Sequence, residues 1–531
     1  MTLPQDLAHE VTAWIADDVD PAAAAELQQL LDAGDAAELA DRFSGPLAFG
    51  TAGLRGPLRA GPNGMNRTVV RRAAAGLAAW LTARGEAGRP VVVGYDARHG
   101  SRDFAHDSAA VFAAAGLEAR ILPRVLPTPV LAFAVRRLDA AAGVMVTASH
   151  NPPQDNGYKV YAADAGQIVP PVDREIEAAI RAVGRTRDIP LDTVRPVLLD
   201  ESIVTSYVAA VAGLVPDGPR ELRIVHTALH GVGTETVRAV FGAAGFTDLT
   251  AVPEQERPDP DFPTVAFPNP EEPGALDLAL ALARERGADI VLANDPDADR
   301  CAVAVPGPDG WRMLRGDEVG VLLADAMLRD GVQGTYATTI VSSALLGALA
   351  RRHGAGYAET LTGFKWIVRA APDLVFGYEE ALGYAVAPEL VRDKDGISAA
   401  LRVAALAAVL RRDGSSLLGR LDELAAEYGR YATDQVSLRV DDLTLIAETM
   451  ARLRADPPTT LLGAAPAVED LLPATDGLRW HTDVARVVVR PSGTEPKLKA
   501  YLEVIDAGGS ADAANAALAR LRAEVSDVLG V

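Results

Sequence analysis

Four short stretches of this 531-residue chain carry side chains whose type and spacing can do chemistry. The first is Thr147-Ala148-Ser149-His150-Asn151-Pro152, at the end of the apolar run 143–148. A serine among small residues, at the end of a buried strand and ahead of a proline, presents its hydroxyl in a fixed place, as a nucleophile must. The same residues also build ordinary Ser/Asn turns. A Ser-His-Asp hydrolase fits poorly, because His150 is the immediate neighbour of Ser149 and a Gly-x-Ser-x-Gly elbow is missing. The second stretch is Asp295-Pro296-Asp297-Ala298-Asp299-Arg300, again directly after an apolar run. Its three carboxylates alternate, so an extended chain would hold them on one side about 6.5–7 Å apart, and a curled loop would bring them onto one cation. Oxygen-only ligation points to Mg²⁺, with Arg300 placed to receive an anionic group. A solvated acidic loop is the alternative.

The third stretch, Gly377-Tyr378-Glu379-Glu380-Ala381-Leu382-Gly383-Tyr384, sets two acids between glycines at a strand end. Carboxylates in such a turn can accept hydrogen bonds from neighbouring sugar hydroxyls, although a Glu pair is also an ordinary charge at a helix start. The fourth, Arg490-Pro491-Ser492-Gly493-Thr494-Glu495-Pro496-Lys497-Leu498-Lys499, gathers a guanidinium, two hydroxyls, a glycine turn and lysines. That is the inventory of a phosphate cradle, without the spacing of a Walker A loop, and a plain turn between strands competes with it. A serine, an acid triad, a hydroxyl-reading loop and a phosphate cradle together describe a site for a sugar phosphate.

The elements that must position these loops alternate. Apolar runs at 90–95 and 143–148 bracket an alanine-rich helical stretch at 104–117, the order of an α/β layer with a largely parallel sheet. The rhythm restarts with a strand at 222–227, a helix at 232–244 and a strand at 288–293, separated by a long Pro- and acid-rich loop at 253–273. A third unit has strands near 335–341 and 374–378, and a smaller fourth has a helix at 443–453, strands at 484–489 and 498–504, and a closing helix at 511–529. The expected boundaries are 1–200, 201–309, 310–428 and 429–531. Loops at the carboxyl ends of strands are where open α/β sheets bind ligands.

Composition narrows the partners. With 23% charged and 49% hydrophobic residues the chain is ordinary globular protein, and its formal net charge of −21 gives it no global attraction for nucleic acid or an anionic membrane. An anionic ligand therefore needs a local basic site. The single cysteine, Cys301, excludes an intrachain disulfide and fits a reducing compartment. The first twenty residues lack a signal-peptide pattern and no uncharged apolar run reaches about 18 residues, so the expectation is a soluble, cytoplasmic protein.

On these four motifs the whole chain resembles the α-D-phosphohexomutases, the phosphoglucomutase/phosphomannomutase family. Further matching segments are Gly50-Thr-Ala-Gly-Leu-Arg-Gly56, Gly157-Tyr-Lys159, Thr362-Gly-Phe-Lys365-Trp and Arg392-Asp-Lys394-Asp395. The resemblance implies three related mixed α/β domains and a smaller C-terminal α+β domain of TATA-binding-protein-like fold, around a central cleft. It implies that Ser149 carries a phosphoryl group, with one Mg²⁺ held by Asp295, Asp297, Asp299 and a phosphoserine oxygen. A hexose 1,6-bisphosphate forms, reorients by about half a turn and returns its other phosphate to Ser149, so glucose 1,6-bisphosphate is the expected activator.

Arg55, Lys159 and Arg300 would steady the transferring group, Lys365 or Lys159 would move the hydroxyl proton, and His150 would support the loop. Glu379 and Glu380 would read the sugar, and Arg490, Ser492, Gly493, Thr494 and Lys499 would hold the second phosphate. Two departures touch sugar preference: Ala381 stands where many relatives have serine, and Tyr384 where some have histidine. The expected activity is interconversion of hexose 1- and 6-phosphates, glucose preferred and mannose slower. A phosphopentomutase is the nearest rival, and a catalytically silent sugar-phosphate binder the alternative of another class.

Overall fold

The computed structural model describes residues 3–50, 53–191, 195–440, 442, 444–492 and 497–530. The chain forms two compact units, Met1–Met313 with Gly383–Ala405, and Leu314–Leu382 with Leu406–Val531.

In the first unit, strands run in the order Gly53–Pro57, Asp155–Ala162, Ala142–Val146, Pro90–Tyr95, Glu118–Ile121 and Val197–Leu198. The run Pro90–Tyr95 is buried throughout, the pattern of a strand covered on both faces. Its neighbours Ala142–Val146 and Glu118–Ile121 are parallel to it. Asp155–Ala162 instead runs antiparallel to Ala142–Val146, and Gly53–Pro57 antiparallel to Asp155–Ala162. The sheet is thus largely parallel with one strand, Asp155–Ala162, running against the others, for a physical reason: the connection 147–154 is shorter than the roughly dozen residues a crossover needs. That connection is the serine loop. A second sheet, in the order Gly310–Met313, Ala302–Gly307, Ile290–Ala293, Ile224–Thr227 and Leu249–Ala251, carries the acid loop between Ile290–Ala293 and its antiparallel neighbour. Residues 252–276 form neither helix nor strand, as their prolines require. Ahead of these layers lie three helices, Gln5–Asp17, Pro21–Ala33 and Ala36–Arg42, with a small core of their own built from Val11, Leu27, Leu39 and Phe43.

In the second unit, Gly356–Thr360, Thr335–Thr339 and Leu374–Glu379 form parallel pairs, and the paired glutamates stand at the end of the last. The final sheet is antiparallel, in the order Arg430–Arg439, Lys497–Asp506, Ala485–Pro491, Leu478–His481 and Ala467–Asp470. One face packs Val487, Val489 and Leu502 with Met450 and Leu453 of helix Thr444–Ala455 and with Leu521 and Val525 of helix Ala511–Leu529. The opposite face packs Val488 and Tyr501 on Ile340 and Val341. Three mixed α/β layers and a C-terminal α+β layer make up the chain. Among the described residues, no helix is long and apolar enough to cross a membrane.

Candidate active site

Ser149 is buried and its backbone lies in the left-handed region at φ 53°, a conformation that persists only where the surroundings over-determine it. They do so here. Its N–H donates to Thr147 Oγ1 at 2.9 Å, and its carbonyl accepts from Arg98 Nη2 at 2.6 Å. The Arg98 guanidinium also donates to the carbonyls of Asn151 (2.5 Å), Pro152 (2.8 Å) and Asp155 (3.2 Å), so one side chain clamps the whole loop. Asp96 lies 3.4 Å from Arg98 Nε, and the Phe262 ring stacks 4.9 Å from the guanidinium. The long 252–276 loop is therefore a buttress of the serine loop. Motif reading alone passes over Arg98; its one signal is an Asp-x-Arg placed directly after the buried strand Pro90–Tyr95. Lysine cannot reproduce this fork, and each charge-assisted bond lost is worth about 1.5–3 kcal/mol. Arg98→Lys is expected to lower kcat at least tenfold, roughly the loss of one such bond, and to lower the melting temperature. Steady-state kinetics and calorimetry measure both.

The acid loop curls at Ala298, where φ is 55°, and brings one oxygen of each of Asp295, Asp297 and Asp299 within 4.8 Å of the others, all buried. Two glycines allow that curl to be gripped. A Cβ on Gly231 would lie 2.3 Å from Pro296 Cα, and one on Gly396 only 2.1 Å from the Arg300 carbonyl oxygen. Behind the loop, buried Asn294 donates to the Arg300 carbonyl at 2.6 Å, its own Oδ1 2.9 Å from His226 Nε2. Burial drives the His226 imidazole down to about 4, so it is neutral there.

Serine and triad meet directly. Ser149 Oγ donates to Asp295 Oδ2 at 2.8 Å and stands 3.2 Å from His150 Nδ1. Lys159 Nζ contacts Asp297 Oδ2 at 2.7 Å and Asp299 Oδ2 at 3.0 Å, Lys394 Nζ reaches Asp299 Oδ2 at 3.3 Å, and Thr128 Oγ1 donates to Asp297 Oδ2 at 2.6 Å. The Arg300 N–H donates to Asp295 Oδ1 at 3.0 Å, and Arg55 Nη1 donates to Asn151 Oδ1 of the serine loop at 3.1 Å.

The electrostatics are those of a site built around an added positive charge. Burial, then the charges of Asp297 and Asp299, push the Asp295 carboxyl well above the carboxylate range. Burial would raise Asp299 too, but Lys159, Lys394 and Arg300 outweigh it and hold it low. Burial would lower Lys159, and Asp297 and Asp299 more than offset this, so the lysine is a cation here. Burial, then Arg300 and Arg55, hold the His150 imidazole well below its usual range, so it is neutral. Asp297 Oδ1 and Asp299 Oδ1 are buried with no hydrogen-bond partner among the described residues. Buried acceptors left unpaired are costly, and two on neighbouring carboxylates, in an all-oxygen donor set, suit a hard divalent cation such as Mg²⁺.

The second unit gathers the remaining residues. Glu380 Oε2 accepts from Ser342 Oγ at 3.0 Å. Its carboxyl is raised to about 7 by burial, then by the charges of Glu379 and Asp317. Arg490 lies opposite Lys499 across the pairing of Ala485–Pro491 with Lys497–Asp506, and it bonds the Tyr501 side chain, which in turn feels Glu380 and Glu379. Ser492 follows on the same segment, and its N–H donates to the Lys497 carbonyl at 2.8 Å. Gly493 and Thr494 lie outside the described residues. Lys365 is buried at a short helix, Phe364–Ile367, its Nζ 5.4 Å from the centre of the Trp366 ring. The first unit thus joins Ser149, His150, Lys159, Arg55 and Arg300 to the triad, and the second joins Glu379, Glu380 and Arg490. Lys394 stands in the matching segment Arg392–Asp395, but its contact with Asp299 depends on a long-range return of the chain that no local pattern shows.

Residues 46–187, 205–308 and 315–428 match the phosphoglucomutase/phosphomannomutase alpha/beta/alpha domains I, II and III, and residues 437–527 match the C-terminal domain of the same family. A probable phosphomannomutase of Haemophilus influenzae is 46% identical over 83% of this chain and 93% of its own length. The phosphopentomutase of Mus musculus is 34% identical over 99% of this chain and 93% of its own. A solved structure from Thermus thermophilus, provisionally called a phosphomannomutase, superposes with a TM-score of 0.73 at 28% identity, over 91% of this chain and 99% of that one. The chain belongs to the phosphoglucomutase/phosphomannomutase family, the sugar-phosphate mutases of the α-D-phosphohexomutase superfamily.

Proposed function

We propose that this mutase interconverts hexose 1-phosphate and hexose 6-phosphate, with glucose preferred over mannose, through a phosphorylated Ser149 and a hexose 1,6-bisphosphate. The observation that carries this reading is the buried, clamped Ser149 hydroxyl 2.8 Å from a carboxylate of the acid triad. In the first half-reaction the Oγ–P bond of phosphoserine breaks as a sugar hydroxyl oxygen bonds phosphorus, the proton of that hydroxyl passes to a base, for which Lys365 is the candidate, and Ser149 Oγ leaves and is protonated. The reverse transfer from the reoriented bisphosphate restores phosphoserine. One Mg²⁺ held by Asp295, Asp297, Asp299 and a phosphoserine oxygen would supply charge neutralisation at the leaving oxygen. Arg55, Lys159, Arg300 and Lys394 supply further positive charge, and neutral His150 supports the loop. Arg490, Ser492, Gly493, Thr494 and Lys499 are assigned the phosphate that is not reacting, and Glu379 and Glu380 the 3- and 4-hydroxyls, which look alike in both orientations of the bisphosphate. With domain boundaries at 200, 309 and 428, every domain carries a single one of the four loops.

A phosphopentomutase is the second reading, favoured by the missing hydroxyl at Ala381 and by the mouse relative's name. Coupled assays with glucose, mannose and ribose 1-phosphates, with glucose 1,6-bisphosphate as activator, decide between them. Ribose 1-phosphate turned over fastest would establish the pentose reading, and inactivity on all three would leave a silent binder. Glu380 adds a pH signature. Its carboxyl ionises near 7 in the folded protein against about 4.3 in an unfolded chain. Its contribution to stability is complete below the lower value and is lost as pH rises through about 7. Ionised, it is the stronger acceptor for sugar hydroxyls, so KM for the hexose phosphate is expected to fall as pH rises through neutrality. Glu380→Gln should flatten that dependence; an unchanged profile would remove Glu380 from the sugar.

A further inference from the structure

One face of the antiparallel sheet in the second unit carries three paired rows in register: Arg490 opposite Lys499, Val488 opposite Tyr501, and Arg486 opposite Glu503. Period-two alternation puts all six side chains on the same side. The first row belongs to the proposed phosphate site. The middle row packs on Ile340 and Val341, the residues directly after strand Thr335–Thr339. The third row ends on the next three residues of that turn. Arg486 Nη2 donates to the Ser342 carbonyl, the Glu503 carboxylate accepts the Ala344 N–H at 3.0 Å, and the two charges pair at 3.2 Å. Asp317, from a third element, accepts the Ser343 N–H at 2.7 Å.

Ser342 is fully buried, and its hydroxyl is shared between Glu380 and Thr339, whose own Oγ1 donates to Glu380 Oε2 at 3.4 Å. The Ser342 hydroxyl donates to Glu380 Oε2 at 3.0 Å, receives the Glu380 N–H at 3.2 Å, and lies 2.9 Å from Thr339 Oγ1. Two buried charges are an expensive way to fill the floor of a turn, since apolar side chains of similar volume serve as well or better for stability. What they provide is direction: with Asp317, they fix the polar backbone of 342–344 in one geometry, which sets where the Ser342 hydroxyl points.

We propose that Ser342, seated by the Arg486–Glu503 pair, is the positioning residue of the Glu380 carboxylate, so that the sheet carrying the phosphate-binding strands also sets the orientation of the sugar-binding group. The inference rests on the assignment of Glu380 to the sugar. Ala381 presents no hydroxyl to the substrate loop, and Ser342 supplies one from below it, to the carboxylate instead of the sugar. The charged and titratable groups around Glu380 are Glu379 on its own loop, Asp317, and Tyr501 with Arg490 from the sheet.

The test compares Ser342→Ala, Ser342→Thr, Glu503→Gln and Glu380→Gln in the full chain, reading KM and kcat for the hexose 1-phosphate, melting temperature, and the pH midpoint of KM. Ser342→Ala should raise KM about ten- to hundredfold, the worth of one hydrogen bond to a charged group, with kcat within about twofold. Its pH midpoint should move upward, because the donor that favours the ionised carboxylate is gone. Ser342→Thr should restore both, and Glu503→Gln should repeat the KM effect where it folds. Wild-type KM in Ser342→Ala beside a raised KM in Glu380→Gln would overturn the positioning role alone. Wild-type KM in Glu380→Gln would overturn the sugar assignment and the inference with it. Loss of kcat and melting temperature together in Ser342→Ala, with an unmoved pH midpoint, would reduce Ser342 to a packing residue.

Discussion

Ser149→Ala is expected to abolish turnover while the protein remains folded. The substitution removes one oxygen and with it the bond to Asp295 Oδ2, a loss of about 1 kcal/mol in stability. The Thr147 and Arg98 contacts run to the backbone of residue 149, so the loop keeps its shape. Chemistry has no such reserve. Removing a nucleophile outright costs at least about 10⁴ in kcat, because no other hydroxyl in the first unit is described against the triad except that of Thr128, which is already bonded to Asp297. Intact mass of the active enzyme should show one phosphate adduct that the variant lacks. An adduct mapping to another residue would contradict the assignment.

Asp297→Asn should raise the Mg²⁺ requirement at least tenfold. Asparagine keeps the shape, and with its Oδ1 turned toward Thr128 it still accepts that hydroxyl's bond. It loses one of three negative charges, leaves the Lys159 ammonium facing a neutral amide, and replaces an unpaired buried acceptor oxygen with an amide that donates. A hard cation that selects charged oxygens binds such a site far less well. Chelation should stop wild-type turnover and added Mg²⁺ restore it, and a direct metal titration without substrate should show the same weakening. An unchanged requirement would make the triad an acidic loop and nothing more.

Local patterning carried much of the architecture. The buried runs at Pro90–Tyr95, Ile224–Thr227 and Ile290–Ala293 read as strands because uninterrupted apolar residues between turn signals have few other fates. The half-exposed strand Arg430–Arg439, in contrast, is not legible: its residues alternate too weakly, and it becomes a strand by pairing along its length with Lys497–Asp506. The three N-terminal helices are also hard to separate in sequence, since only their packing on each other distinguishes them from the layer that follows. At the site, the chemically loaded residues announce themselves by type and spacing. The residues that hold them do not. Arg98 and Ser342 are ordinary in sequence, Lys394 is marked by its matching segment alone, and each acts through a partner 51, 38 or 95 positions away respectively.

The left-handed backbone at Ser149 also decides which amino acid can carry the phosphoryl group at all. Threonine has the same hydroxyl and is phosphorylated as readily in many settings, but a branched Cβ at positive φ is a genuine steric outlier, whereas an unbranched one is tolerated. The clamp that fixes the loop therefore acts as a filter on side-chain shape. Within this backbone the oxygen nucleophile must be unbranched at Cβ and one bond removed from it, which among the coded amino acids leaves serine.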